Sequence, residues 1–260
     1  MGTFGVKRAS DEYFCPSTVE LKKWDLGATD VMGNTAVAWA ARKGHGAIIK
    51  ILLEREGITP DTADKYGRTP LSWAARLGHG GIVKTLLERE DVTPNATDEN
   101  GRTPLSRAAE AGFGDIVNML LEREDVAPDT ADKDGRTPLS WAARLGRGEI
   151  ARVLLEREDV TPDAADKDDR TPLSWGAGRG HEDIVMMLLE QEEVAPDSAG
   201  KDGRTPLSWA AETGHGGIVK MLLERENVNP DTADKNGRTP LSWAIRKQCS
   251  QAASPVRLGV

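Results

Sequence analysis

Leu71, Ala74 and Ala75 recur at helical spacing, and a few residues later Ile82, Val83, Leu86 and Leu87 stand at i, i+1, i+4 and i+5. Each set forms an apolar stripe along one side of a short helix, with polar residues elsewhere. Thr69 is placed as an N-cap and Pro70 as the first helical residue, where a missing N–H costs nothing. Gly78 closes the first helix as a C-cap, and Gly67 upstream marks a tight turn that needs positive φ. After the second helix, the run Glu88–Arg89–Glu90–Asp91 reads as a solvated end, and Val92 and Pro94 lead the chain outward to the next turn. The predicted unit is turn, helix, turn, helix and extended loop. Small alanines let the first helix approach its neighbour closely, while the larger aliphatics of the second build a continuous core.

The same pattern then recurs on a fixed grid. Gly33, Gly67, Gly101, Gly135, Gly203 and Gly237 are spaced in steps of 34, with Asp169 standing at the place between Gly135 and Gly203. The Leu-Leu-Glu word keeps the same phase from Leu53 to Leu223, and twelve of the fourteen prolines fall at two positions of the unit. A period of this kind means a stack in which each unit buries surface only against its neighbours. The expected organisation is an N-terminal capping segment at 1–29, then units at 30–63, 64–97, 98–131, 132–165, 166–199 and 200–233. A truncated unit at 234–249 follows, and a degenerate cap or tail at 250–260. Trp24 is expected to close the first layer, and Pro255 falls where a helix interior should be.

The pattern D-x-x-G-R-T-P-L-S-W-A-A-x-x-G-H-x-x-I-V-x-x-L-L, matched from about Asp30 to Arg246, resembles the ankyrin repeat. The resemblance implies an all-α ankyrin-repeat solenoid, with the first helices and turn tips lining a concave groove. The words GRTPLSWAA and EREDVTPD are similar to ankyrin arrays of filamentous fungi, which often form the sensing end of larger signalling proteins. Two departures stand out. The period is one residue longer than the family's usual one, which should lengthen the connection after the second helix. The family's histidine after Pro-Leu is a serine here, at Ser72, Ser106, Ser140, Ser174, Ser208 and Ser242, so any bracing of the turn falls to a smaller hydroxyl.

Composition changes this picture little. Charged residues make up 29% of the chain and aromatics 5%, which suits a thin body with much exposed surface. No apolar run reaches the roughly 18 residues of a membrane helix, and the N-terminus lacks the apolar core of a signal peptide. Cys15 and Cys249 sit in opposite terminal segments, so no disulfide framework is expected and a reducing, intracellular compartment (cytoplasm or nucleus) is the default.

Candidate chemistry is sparse. His45, His79, His181 and His215 share one repeat position, which Phe113 and Arg147 fill elsewhere, so they read as helix-turn residues rather than as ligands or bases. The acidic residues recur as solvated helix ends. No G-x-x-x-x-G-K-[ST] or G-x-S-x-G motif is present. Neither an enzyme nor a cofactor or metal site is expected. The residual catalytic reading rests on the non-repeated Asp11, Glu12, Tyr13 and Cys15 of the N-terminal segment.

The candidate binding face comes from one repeated register. Trp39, Trp73, Trp141, Trp175, Trp209 and Trp243 share a position that Arg107 takes once. One turn further along lie Arg76, Arg144, Arg179 and Arg246, and at the turn tips stand Lys65, Tyr66, Lys133 and the ladder Arg68, Arg102, Arg136, Arg170, Arg204 and Arg238. The tryptophans are either packing between layers or half-exposed anchors beside arginine. Five groove positions per copy sum to +12 while the whole chain is −8, so the remainder carries −20. Asp134, Asp168 and Asp202 are expected to answer part of the arginine ladder.

These features lead to a non-catalytic scaffold, monomeric, that holds an acidic, phosphorylated or extended protein segment. Nucleic acid is disfavoured, because the acidic remainder would repel a polyanion. The alternative is a regulatory or sensing segment of a larger multidomain signalling protein.

Overall fold

The computed structural model describes residues 27–252, with side chains described through Arg246. The expected cap with Trp24, and Pro255 with the end of the tail, lie outside the described residues. The described residues form an all-α solenoid. The first helices of the units are α1 (Ala36–Lys43), α3 (Pro70–Leu77), α5 (Pro104–Ala111), α7 (Pro138–Leu145), α9 (Pro172–Arg179), α11 (Pro206–Thr213) and α13 (Pro240–Ala252). The second helices are α2 (Gly46–Leu53), α4 (Gly80–Leu87), α6 (Gly114–Leu121), α8 (Gly148–Leu155), α10 (Glu182–Leu189) and α12 (Gly216–Leu223). Each pairs with its partner in the unit and with its counterpart in a neighbouring unit. Successive first helices pack more closely than successive second helices, so the stack curves toward the first-helix side.

The caps explain why the helices are short. The Thr69 hydroxyl accepts from the Ser72 N–H, and the Ser72 hydroxyl donates back to the Thr69 carbonyl at 2.9 Å. The serine that stands where the family has histidine therefore braces the N-cap itself. Gly78 stops the helix at φ 80°, where its N–H reaches the Ala74 carbonyl. In the last unit Gln248 stands where the other copies have this glycine, and α13 runs on to Ala252 without a turn.

The core lies between the two rows. Ala74, Ala75, Ala108, Ala109, Ala142 and Ala143 are fully buried on the first helices. Leu71, Ile82, Val83 and Leu86, with their counterparts, fill the space behind them. Each such aliphatic contributes of the order of 2 kcal/mol by burial.

Two hydrogen-bond ladders tie the layers. At the tips, Lys65 donates its N–H to the Met32 carbonyl, Glu99 to Tyr66, Lys133 to Asn100, Lys167 to Asp134, Lys201 to Asp168 and Lys235 to Asp202, at 2.7–3.0 Å. Within every tip but the sixth, where Gly200 stands instead, the Asp64-type carboxylate accepts two backbone N–H groups, from Tyr66 and Arg68 in that copy. In the outer loops, Asp61, Asp129, Asp163 and Asp197 accept the N–H of Thr93, Thr161, Ala195 and Asn229, and Asn95 accepts that of Ala127.

The acidic end of the second helix is only partly the solvated run expected. Glu88, Glu90 and Asp91 are exposed, but Arg89 bends back. It grips Asp91 with two N–H groups at 2.7 Å and donates a third to the Leu53 carbonyl of the preceding unit. Arg123 and Arg157 do the same to Leu87 and Leu121. These arginines cap the orphan carbonyls of the neighbouring helix end.

Candidate functional site

The shared tryptophan position puts a row of rings along the curved face. Consecutive positions of the row are separated by a gap that faces one turn-tip residue and the helix residue eight positions later. Between Trp141 and Trp175 these are Arg136 and Arg144, each with its guanidinium 5.0–5.4 Å from both ring centroids. Arg170 lies 5.0 Å from both Trp175 and Trp209, and Arg204 lies between Trp209 and Trp243 at 3.5 and 4.0 Å. Near the start of the array Arg42 spans Trp39 and Trp73. Arg68 and Arg76 lie over Trp73, Arg102 over Trp141, and Arg238 and Arg246 over Trp243. The candidate arginines, Arg107 and Arg179 excepted, thus lie on the indole rings on either side of the break at Arg107, a geometry in which each contact is worth about 0.5–2 kcal/mol. Lys65, Tyr66 and Lys133 stand exposed on the tips beside it, Tyr66 under the Arg68 guanidinium at 4.5 Å.

The rings differ in access. Trp73, Trp141 and Trp243 are 5%, 3% and 7% exposed, Trp175 and Trp209 are half-buried, and Trp39 is 39% exposed. Several indoles are pinned by the turn carboxylate nine residues earlier. Trp39 donates its Nε1–H to Asp30, Trp141 to Asp132 and Trp175 to Asp166, at 2.9–3.1 Å. Arg107, where the series breaks, is itself buried and is bound through Nε and Nη2 to Asp98, the same carboxylate position. In the sixth copy Gly200 replaces that aspartate, and the buried Trp209 Nε1–H has no acceptor among the described residues, as is also true of Trp73, whose Asp64 binds Arg68. The i−9 partnership was missed from sequence. Its signal was the aspartate that opens nearly every tip in phase with the tryptophan.

Part of the arginine ladder is answered at short range. Arg68 pairs with Asp64 at 2.8 Å, Arg102 with Glu110 at 2.9 Å, Arg136 with Asp134 at 2.8 Å, Arg204 with Glu212 at 2.5 Å and Arg238 with Asp234 at 3.3 Å. Of the three aspartates expected to do this, only Asp134 pairs with a tip arginine. Asp202 accepts the Arg204 backbone N–H instead, and among the described residues Asp168 joins no ion pair. Among the described residues, Arg42, Arg76, Arg144, Arg170 and Arg179 have no carboxylate partner within 4.0 Å. Burial, then the like charges of Arg136, Arg179 and Arg102, pushes Arg144 below the usual guanidinium range, with Glu110 opposing. The middle of the face is crowded with positive charge.

The histidines have a packing role. The rings of His79, His181 and His215 lie over the C-cap glycines Gly44, Gly146 and Gly180 of the preceding unit, so closely that a Cβ added there would stand 2.4–2.8 Å from the ring. Phe113 and Arg147 cover Gly78 and Gly112 in the same way. Among the described residues, no three His, Cys, Asp or Glu side chains stand together as metal ligands, and no helix is long and apolar enough to cross a membrane.

A search of curated proteins finds no match. The family model for ankyrin repeats (3 copies) matches residues 9–98, 90–166, 127–197, 158–234 and 192–254, nearly the whole chain. Among solved structures, the ankyrin repeat domain of Bcl-3, described as a unique member of the IkappaB protein family, is similar at a TM-score of 0.69 and 23% identity. That likeness covers 82% of this chain and 94% of the other, and at this identity it speaks to the fold alone. The period, the caps and the family model converge: the chain belongs to the ankyrin-repeat family, a non-catalytic protein–protein interaction module.

Proposed function

We propose that the array holds an acidic, extended segment of a protein partner along its first-helix face. The observation that carries this reading is the set of unanswered arginines, Arg42, Arg76, Arg144 and Arg170 on a row of indoles with Arg179 exposed beside it, in a chain of net charge −8. Guanidinium groups held on aromatic faces are already ordered, so a carboxylate or phosphate gains charge-assisted bonds at little entropic cost. Steering of an acidic segment toward a basic strip flanked by acidic loops favours this face over the outer one. The candidate contacts are Lys65, Tyr66 and Lys133 at the tips together with the arginine–tryptophan stack. Because Trp73, Trp141 and Trp243 are buried, they support the arginines, and Trp39, Trp175 and Trp209 offer the accessible ring surface. The same reading takes the array as a monomer in a reducing compartment, and the finer likeness to fungal sensing arrays belongs to it.

The test is capture from lysate at low and high salt with two baits, the native array and one carrying Arg76→Glu, Arg144→Glu and Arg170→Glu. These positions have no intramolecular ion pair, so reversal is expected to leave the fold intact by circular dichroism. A partner held by the native array, released by salt and weakened at least about tenfold by the reversal is the expected outcome. Equal retention by both baits would move binding to the outer face or the ends and overturn the reading.

A further inference from the structure

The six gaps between consecutive ring positions are filled by the pairs Asn34/Arg42, Arg68/Arg76, Arg102/Glu110, Arg136/Arg144, Arg170/Gly178 and Arg204/Glu212. Three gaps have an arginine at the helix position, and two have a glutamate that bonds the tip arginine. Glu110 accepts from Arg102 Nη1 with both oxygens at 2.9–3.0 Å, and Glu212 accepts from Arg204 Nη2 at 2.5 Å. The fifth gap alone has no side chain at that position. There Gly178 leaves a cleft of about 240 Å³ walled by Trp175 and Trp209, with Arg170, Arg179 and Glu212 at its rim.

We propose that this cleft receives a glutamate side chain of the partner segment, which takes the place that Glu110 and Glu212 hold in their own gaps. The inference rests on the groove reading above and assigns its anchoring point. Arg170 is presented between two indoles and meets no carboxylate, and Arg179 beside it is exposed and equally unanswered. The Glu212 charge is already committed to Arg204. A guanidinium, the other occupant used within the array, would enter against Arg170 and Arg179 with no free carboxylate to meet it. The two walls are also the half-buried rings, whereas Trp73 and Trp141 are closed over. Gly178 lets the incoming chain approach, since a Cβ there would already stand 3.3 Å from Trp209 Cβ.

The experiment is a titration with a decaglutamate peptide, read on the indole N–H resonances and on affinity, for the native array, Gly178→Glu and Leu77→Glu. Gly178→Glu fills the cleft with the array's own carboxylate eight residues from Arg170. Leu77→Glu adds the same charge to the exposed face three units away. The expected result is that Trp175 and Trp209 shift most, that Gly178→Glu weakens binding about tenfold, and that Leu77→Glu weakens it less than about threefold. A raised melting temperature for Gly178→Glu would show that the variant folds and that its glutamate engages. Equal losses in both variants, or shifts spread over all rings, would overturn the cleft and leave the groove standing. Tighter binding of a phosphoserine peptide than of decaglutamate would reassign the cleft to phosphate and overturn the glutamate assignment. No shift at any ring would overturn the groove reading itself.

Discussion

Asn95 and Asp163 occupy the same place in the outer loop and differ by one hydrogen-bond donor. Asn95 accepts the Ala127 N–H and donates its amide to the Asp125 carbonyl at 2.6 Å, so both ends are satisfied. Asp163 accepts the Ala195 N–H at 3.3 Å, and its other oxygen is buried without a partner. Burial pushes its carboxyl above the usual 3.8. Because the folded pKa is raised, the carboxylate is the disfavoured form, and stability falls as pH rises from 3.8 through the folded value. Asp163→Asn is therefore expected to stabilise the array by about 1 kcal/mol at pH 7, with the gain shrinking as pH is lowered. Urea unfolding at several pH values measures it, and a pH-independent loss would contradict the account. The orphaned Trp209 Nε1–H calls for the reverse repair. Gly200→Asp restores the carboxylate that meets Trp141 and Trp175, with a new Cβ only 3.1 Å from the Asp168 carbonyl. A gain of about 1 kcal/mol in thermal unfolding is expected, and no change would mean that the contact with Asp168 cancels the bond. Neither effect was legible beforehand, because each depends on an atom of another turn or another layer.

At the scale of the element, the sequence was almost fully readable. Thr69, Pro70 and Gly78 set the bounds of α3 by local chemistry, and the same triplet does so in later units. What escaped was Arg89, whose place under the preceding helix end is decided by a carbonyl 36 residues earlier. The element expected to be weakest is α9. Gly176 and Gly178 replace residues that cost about 1 kcal/mol less each in a helix interior, and Asp169 holds φ at 57° where the other tips have glycine. Hydrogen exchange is expected to be at least about tenfold faster in α9 than in α7, with uniform protection as the opposing result. The element expected to be softest is also the one that lines the open cleft, so an incoming side chain there would both bind and stiffen it.

For the whole molecule, the charge count over sequence positions anticipated a basic inner strip, but only the structure divides the strip into answered and unanswered arginines. Arg102 and Arg204 are neutralised by glutamates from their own helices, so the unanswered charge concentrates at Arg42–Arg76 and Arg144–Arg179. The groove thus has two strong stretches with a quiet one between them, around the buried Arg107–Asp98 pair, in the copy where Glu99 and Glu110 already outweigh Arg102 in sequence.

The tip ladder has a consequence for how such a chain can change length. Each rung joins a residue to the carbonyl 33 positions earlier, and every donor is followed by the same turn. Removing residues 132–165 as a block would bring the Lys167 N–H opposite the Asn100 carbonyl in place of that of Asp134, with the rung chemistry unchanged. Duplication or loss of a whole unit is therefore nearly silent for the scaffold, while it shifts Arg107, Gly178 and Gly200 along the row. Copy number edits the message without damaging the page it is written on.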